Sequence, residues 1–252
     1  MKLLAMDSSG NVASVALLEE DKIIGEYSTN HKKTHSQTLL PMLDTMLEEL
    51  GITLEEVDAF TIAAGPGSFT GLRIGAATVK GLAYALQKPI ISIPTVEGLA
   101  FNLAGTDAYV VPLMDARRAQ VYTGVYCFEA ADHTYRMKEL VPQCAIPVAE
   151  LMEKVNALGH PVIFLGDGVP VYEDQIRELC KVDYSFAPQH MNRQRAAAVA
   201  ALAYQKIKPH LLEDGTLESV PGLIEDAYTF APEYLRLSQA EREKKEREKG
   251  NA

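Results

Sequence analysis

Four groups of residues have types and spacings that could do chemistry. Asp7-Ser8-Ser9 sets a carboxylate and two hydroxyls directly after the apolar run Leu3-Leu4-Ala5-Met6, where a first strand would end and a turn could hold a nucleotide phosphate. The same residues also make an ordinary polar β-turn. Asp167, in Gly166-Asp167-Gly168 after the apolar run 162–165, is open to the same two readings. His31 and His35 stand four apart, the spacing of two zinc ligands on one helical face. Lys32 and Lys33 between them repel a cation and no third ligand is near, so a solvated histidine pair is expected. The fourth group is Gly65-Pro66-Gly67-Ser68-Phe69-Thr70-Gly71-Leu72-Arg73-Ile74-Gly75. It follows the apolar run 60–64 and opens a helical pattern, giving strand, glycine turn and helix, an order that presents backbone amides to an anion. It is not a P-loop, because Leu72-Arg73 follow Gly71, and its third glycine comes one residue late for a dinucleotide fingerprint. No Ser/His/Asp triad or Cys/His pair can be assembled from local spacing.

The helix after the glycine turn has two faces and little charge. Leu72, Val79, Leu82, Ala83 and Leu86 form one apolar stripe, and Ile74, Ala77, Thr78, Gly81 and Ala85 form the opposite side. The only charges, Arg73 and Lys80, share a narrow edge. A solvated helix puts charge opposite its core stripe, so this one is expected to be buried on both sides. Either it is sandwiched within its own domain, or its second face packs against another chain. An earlier helix, near 36–50, carries Leu39, Leu40, Met42, Leu43, Met46, Leu47 and Leu50 before Gly51, a C-cap residue. These cover an arc of roughly 160°, wider than the ~100° stripe that packing on one core requires.

Whole-chain numbers narrow the function classes. With 252 residues, 47 % hydrophobic and 23 % charged, the chain can bury one large core or two modest ones. Its net charge of −10 is a poor match to phosphate backbones, so any work on RNA is expected to lean on a partner. Cys127, Cys144 and Cys180 are odd in number and widely spaced, as expected for free thiols in a reducing compartment. Asp7 comes too early for a signal peptide, and no apolar run approaches the ~20 residues that cross a bilayer. A cytoplasmic protein is expected.

In chain order, the runs 3–6, 12–18 and 23–27 read as strands joined by tight turns. The 36–50 helix, a strand at 60–64, the glycine-turn helix and a strand at 90–93 follow, a βββαβαβ unit. The second half partly echoes it, with strands at 108–114 and 120–128 around Asp115-Ala116-Arg117-Arg118, a helix at 147–158 and a strand at 162–165. A helix near 171–180, a short strand at 182–186 and an alanine-rich helix at 193–208 complete it. Residues 215–228 read as loop. The tail 240–249 alternates Glu with Lys and Arg, fitting a solvated helix or a frayed end.

These motifs together resemble the TsaB family, also called YeaZ, a subunit of the bacterial tRNA threonylcarbamoyladenosine machinery. The glycine-turn segment 65–75 carries the resemblance. Met6-Asp7-Ser8-Ser9, His35-Ser36-Gln37, Leu39-Leu40-Pro41, Asp115-Ala116-Arg117-Arg118 with Val121-Tyr122, Gly166-Asp167-Gly168 and Pro232-Glu233-Tyr234-Leu235-Arg236 support it over nearly the whole chain. The resemblance implies an α/β protein of the actin-like ATPase (ribonuclease H-like) fold with two βββαβαβ-type domains, the second reduced. The expected units are 1–106, 107–236 with the 193–208 helix packing back on the first, and a charged tail at 237–252. It also implies similarity to TsaD, the paralogue that transfers a threonylcarbamoyl group to adenosine 37 of tRNA and holds a metal through an H-x-E-G-H motif. Here the corresponding place is Thr95-Val96-Glu97-Gly98-Leu99, where a threonine and a leucine replace the two imidazoles, so no metal is expected. The implied role is a non-catalytic subunit that binds and stabilises TsaD, with a TsaE-type ATPase as third member and tRNA met only through the complex. Alone, a homodimer is implied. The expected interface comprises Leu39, Met42, Leu43, Met46, Leu50, Arg73, Ile74, Ala77, Thr78, Lys80, Gly81 and Ala85. No cofactor is expected to bind tightly, with a nucleotide contact at Asp7, Ser8 and Ser9 left open at a subunit interface. The alternatives are an ATP-dependent small-molecule kinase of the same superfamily, which lacks a second glycine-rich phosphate loop here, and a metalloprotease, which lacks the histidine pair.

Overall fold

The computed structural model describes residues 1–31, 34–131 and 133–236. The first half runs β1 (Lys2–Asp7), β2 (Ala13–Glu19), β3 (Lys22–Thr29), α1 (His35–Leu50), β4 (Ala59–Gly65), α2 (Phe69–Leu86), β5 (Ile90–Pro94) and α3 (Thr95–Phe101). The second runs β6 (Tyr109–Asp115), β7 (Gln120–Ala131), β8 (Thr134–Pro147), α4 (Val148–Leu158), β9 (Val162–Leu165), α5 (Val169–Leu179), β10 (Tyr184–Phe186) and α6 (Ala196–Ile207), and the chain returns as β11 (Ile224–Glu225). Two mixed sheets result, in the orders β11-β5-β4-β1-β2-β3 and β10-β9-β6-β7-β8. In each, a central strand pairs antiparallel with the next and parallel with the fourth of its half: β1 with β2 and β4, β6 with β7 and β9. This is the ribonuclease H-like topology in duplicate, the actin-like arrangement. The second sheet has one strand fewer, and its last strand is three residues long.

β8, α3 and the two-residue β11 escape the sequence patterns. β8 is a 14-residue edge strand, and its side chains, exposed or half-buried without a regular period, erase the alternation that marks a half-buried strand. α3 has seven residues, too few for a helical period to stand out. The alanine-rich helix begins at Ala196 rather than 193, because Arg195 is still extended (φ −141°). Within 215–228 only β11 departs from loop. The expected boundary at 106 falls between α3 and β6, and the tail 237–252 lies outside the described residues.

Each sheet is covered on one face by helices of its own half and on the other by a helix from the opposite half. α1 and α2 pack Leu39, Leu43, Met46, Val79 and Ala83 on Leu4, Met6, Phe60 and Ile62. The far face of that sheet, with Leu3, Ala5, Ala16 and Ile91, receives Val199, Leu202, Ala203 and Ile207 of α6. Reciprocally, Val96, Leu99 and Ala100 of α3 pack on Val110, Met114 and Tyr126 of the second sheet. Each large side chain buried in this way contributes about 1.5–3 kcal/mol, so neither exchanged helix is ornamental. The first turn of α6 is held by the first half: Ser14 Oγ accepts from Ala196 N at 2.9 Å, and Glu26 accepts from Ala197 N at 3.3 Å while pairing with the Arg195 guanidinium.

Candidate functional site

The glycine turn is built for closeness more than for unusual dihedrals. Only Gly65 has a positive φ (126°). At Gly67, Gly71 and Gly75 a Cβ would fall inside 3.0 Å of Ser9 O, Ser8 O and Ser8 Oγ respectively. The start of α2 is therefore pressed onto the Asp7-Ser8-Ser9 turn. Ser68 N donates to Ser9 O (2.6 Å), Ser8 Oγ donates to Gly71 O (2.9 Å), and Gly71 N donates to the N-cap Ser68 Oγ (3.3 Å). The Ser68 and Gly71 amides, two of those that could have faced an anion, are thereby spent inside the protein. Asp7, Ser8 and Ser9 are all buried, with Asp7 accepting from Ser9 N (2.9 Å) and Ser9 Oγ (2.6 Å). Burial lifts the Asp7 carboxyl to about 6, against the lowering effect of the Ser9 bonds. Of the three residues expected at a nucleotide contact, Asp7 and Ser8 form a packing platform under α2, and Ser9 borders open space.

That open space is a cleft of about 480 Å³ between the two halves, bordered by Ser9-Gly10-Asn11, Pro66 to Phe69, Met114 to Arg117 and Asp167. Gly166-Asp167-Gly168 repeats the first turn: Gly166 has φ 112°, and a Cβ there would meet Leu113 O. Asp167 accepts from Asp115 N at 3.3 Å, and burial raises its pKa while the Arg193 charge opposes the rise. A strap from the C-terminal segment crosses the cleft. Glu233 N donates to Ala64 O (2.8 Å), the Tyr234 ring packs at a tilt of 37° on Phe69 (4.6 Å between centroids), and the Arg236 guanidinium donates to Ala116 O. The strap joins the halves, a role no local pattern announces.

The outer face of α2 is open. Ala77, Gly81, Ala85 and Arg73 are exposed, Ile74 and Thr78 half-buried, and nothing lies within 4 Å of a Cβ built on Gly81. A sandwich within the chain is thereby ruled out for this face. Of its two cations, Lys80 is tied down, donating to Phe230 O at 2.8 Å, and Arg73 lies over the Phe69 ring at 4.1 Å. Tyr84, 55 % exposed, continues the face and meets the ring of Tyr228 edge-on at 5.6 Å. On α1 the expectation needs correction. Leu39, Leu43 and Met46 are 1 %, 3 % and 0 % exposed and belong to the core, because that part of the apolar arc faces the sheet. Met42 and Leu50 are half-buried, and Leu40, which was not singled out, is 49 % exposed. His35 is not a solvated residue either: its Nε2 lies 2.8 Å from Gly10 O, while His31 is exposed.

The place of the imidazole pair is filled by packing. Thr95 is fully buried, its Oγ1 accepting from Gly65 N at 3.1 Å, and Leu99 is in the core under α3. Glu97 pairs with Lys206 at 2.5 Å. Among the described residues no group of three or more His, Cys, Asp or Glu could hold a metal, and no helix is long and apolar enough to cross a membrane.

Comparison with known proteins bears on what this face and cleft belong to. Residues 22–244 match the family described as TsaD: tRNA N6-adenosine threonylcarbamoyltransferase. The chain is 31 % identical over 241 residues, 96 % of either chain, to the tRNA threonylcarbamoyladenosine biosynthesis protein TsaB of Bacillus subtilis. It is 40 % identical over 127 residues to the protein of that name from Haemophilus influenzae, covering 48 % of this chain and 52 % of that one. The structure superimposes on YeaZ from Pseudomonas aeruginosa with a TM-score of 0.71 at 27 % identity, covering 93 % of this chain and 99 % of the other.

Proposed function

The chain belongs to the TsaB (YeaZ) family, and on that premise we propose that it serves tRNA threonylcarbamoyladenosine biosynthesis as a docking subunit with no chemistry of its own. It seats a TsaD-type threonylcarbamoyltransferase on the outer face of α2 and the adjoining edge of α1. One observation carries this reading: a helix face of Ile74, Ala77, Thr78, Gly81 and Ala85 stands open, with the Lys80 ammonium drawn aside to donate to the Phe230 carbonyl. Small residues let a second helix approach to about 8–10 Å, and depletion of charge lowers the desolvation cost of closing the interface. The catalytic silence is supported by Thr95 and Leu99 where the paralogue has ligands, and by the sealed Asp7 turn. A homodimer forms when the partner is absent, a TsaE-type ATPase joins the pair, and tRNA is met in the cytoplasm only through the complex. No nucleotide binds this chain tightly, and one that enters does so at a subunit interface, where Ser9 is the residue of the turn that borders open space.

Gly81→Leu tests the reading cleanly, because a Cβ at this position has nothing within 4 Å. Sedimentation of the mixed subunits is expected to show association with the TsaD partner weakened at least ten-fold, with urea unfolding unchanged or slightly stabilised. Equal association of variant and parent would remove α2 from the interface. A modification assay on tRNA with and without this chain tests the pathway role separately.

A further inference from the structure

The cleft and the outer face of α2 meet at one side chain, Phe69, in the first turn of that helix. Its half-buried ring takes Tyr234 of the strap at 4.6 Å between centroids, and the Arg73 guanidinium over its centre at 4.1 Å. Tyr234 is itself held between two anchors. On one side Glu233 N donates to Ala64 O (2.8 Å) in β4, and Gln143 Nε2 of β8 donates to Glu233 Oε2 (2.6 Å). On the other, the Arg236 guanidinium donates to Ala116 O, between β6 and β7. Ala64 belongs to the first half, and Gln143 and Ala116 to the second, so the place of the Tyr234 ring is set by how the halves stand across the cleft. At 40 % exposed, Tyr234 is not a core residue, and the ring it packs on is the one that carries Arg73.

Arg73 is the cation that this face presents to solvent. Lys80 is half-buried and donates to Phe230 O at 2.8 Å, whereas Arg73 is exposed. A guanidinium on a free side chain loses rotamer freedom when it binds, but one already held over an aromatic ring keeps its donors aimed and loses less. Its planar fork matches a carboxylate with two parallel hydrogen bonds. We propose that Tyr234 is a positioning residue for docking: the seated strap braces Phe69, Phe69 holds Arg73, and Arg73 meets a carboxylate of the TsaD-type partner. The cleft is thereby coupled to the docking face, since a movement that lifts the strap also frees Arg73. This rests on the docking role of α2 and adds to it the chemistry opposite Arg73 and the element that controls it.

The brace is tested without a partner, by magnetic resonance on the isotope-labelled full chain. Over the face of Phe69 the Arg73 Nε–H proton resonates upfield of exposed arginines, and its signal is identified by its loss in Arg73→Gln. Tyr234→Ala is expected to move that signal toward the exposed arginines and Tyr234→Phe to leave it in place. A signal unmoved in Tyr234→Ala would overturn the brace. Sedimentation with the TsaD partner tests the coupling. Tyr234→Ala is expected to weaken association about three-fold or more in the parent, and to add nothing once Arg73 is replaced by Gln. Equal weakening in both backgrounds would overturn the assignment. Gly81→Leu separates the two levels: association that survives it refutes the docking face itself, whereas association lost in Gly81→Leu but intact in Tyr234→Ala refutes only the coupling.

Discussion

α2 and α5 occupy the same place in the two halves, each following a strand and a glycine turn, yet they meet solvent in opposite ways. α5 buries Tyr172 and Ile176 and turns Asp174, Arg177 and Glu178 outward, with Glu173 and Arg177 paired at 2.5 Å. α2 buries Leu72, Val79 and Ala83 and turns outward Ala77, Gly81 and Ala85. The turns that precede them are alike: Gly65 and Gly166 both have positive φ, and a Cβ on either would run into backbone, Glu233 O or Leu113 O. The fold thus dictates the turn but leaves the outer helix face free. A charged outer face is what solvent alone selects, and its absence on α2 is the departure on which the proposed docking role rests.

Four substitutions sharpen or break that contrast. The largest effect is expected at Gly71, where a methyl would strike the Ser8 carbonyl. Gly71→Ala should cost about 3 kcal/mol or more in urea unfolding, whereas Gly81→Ala on the same helix should be neutral or stabilising by about 0.5–1 kcal/mol. Equal stabilities for the two variants would refute the close-approach account of the turn. Next comes Asp7, whose carboxyl is lifted from 3.8 to about 6 by burial. A group with a raised folded pKa favours the fold while protonated, so its contribution is complete below pH ~4 and is lost as the pH rises through ~6. Asp7→Asn keeps an acceptor for Ser9 without the charge. It should exceed the parent by roughly 2–3 kcal/mol at pH 8, and the gap should close by pH 4. A gap independent of pH would mean that the turn is not sealed. The smallest effect is expected on α5: Glu173→Ala removes an exposed i,i+4 pair worth about 0.3–0.5 kcal/mol and should leave association with TsaD untouched.

Much of the first half was legible because its elements are buried on both sides or carry long periods. The apolar runs of β1, β2 and β4 and the two stripes of α2 survive a reading of residue type alone. The wheel of α1 did not separate Leu39, Leu43 and Met46, which face the sheet, from Leu40, which does not, since a wide apolar arc does not say which part meets its own core. The platform role of Asp7-Ser8-Ser9 was hidden for a similar reason. A polar turn looks the same whether it faces a ligand or the backbone of a glycine-rich helix, and only the packing of Gly67 and Gly71 distinguishes the two. The strap at Glu233–Arg236 was visible as a motif, but its partners, Ala64 and Ala116, lie more than a hundred residues away.

The exchange of α3 and α6 between the sheets also governs how the chain is made. The strands β1 to β5 are complete at residue 94, but the helix that covers their second face spans Ala196–Ile207. At a synthesis rate of ~5–20 residues per second, Leu3, Ala5 and Ile91 wait roughly 5–20 s on the ribosome with that face bare. The first half therefore emerges with one sheet face uncovered rather than as a unit complete in itself. Cutting the chain between the halves should give two insoluble pieces, each missing the helix the other carries.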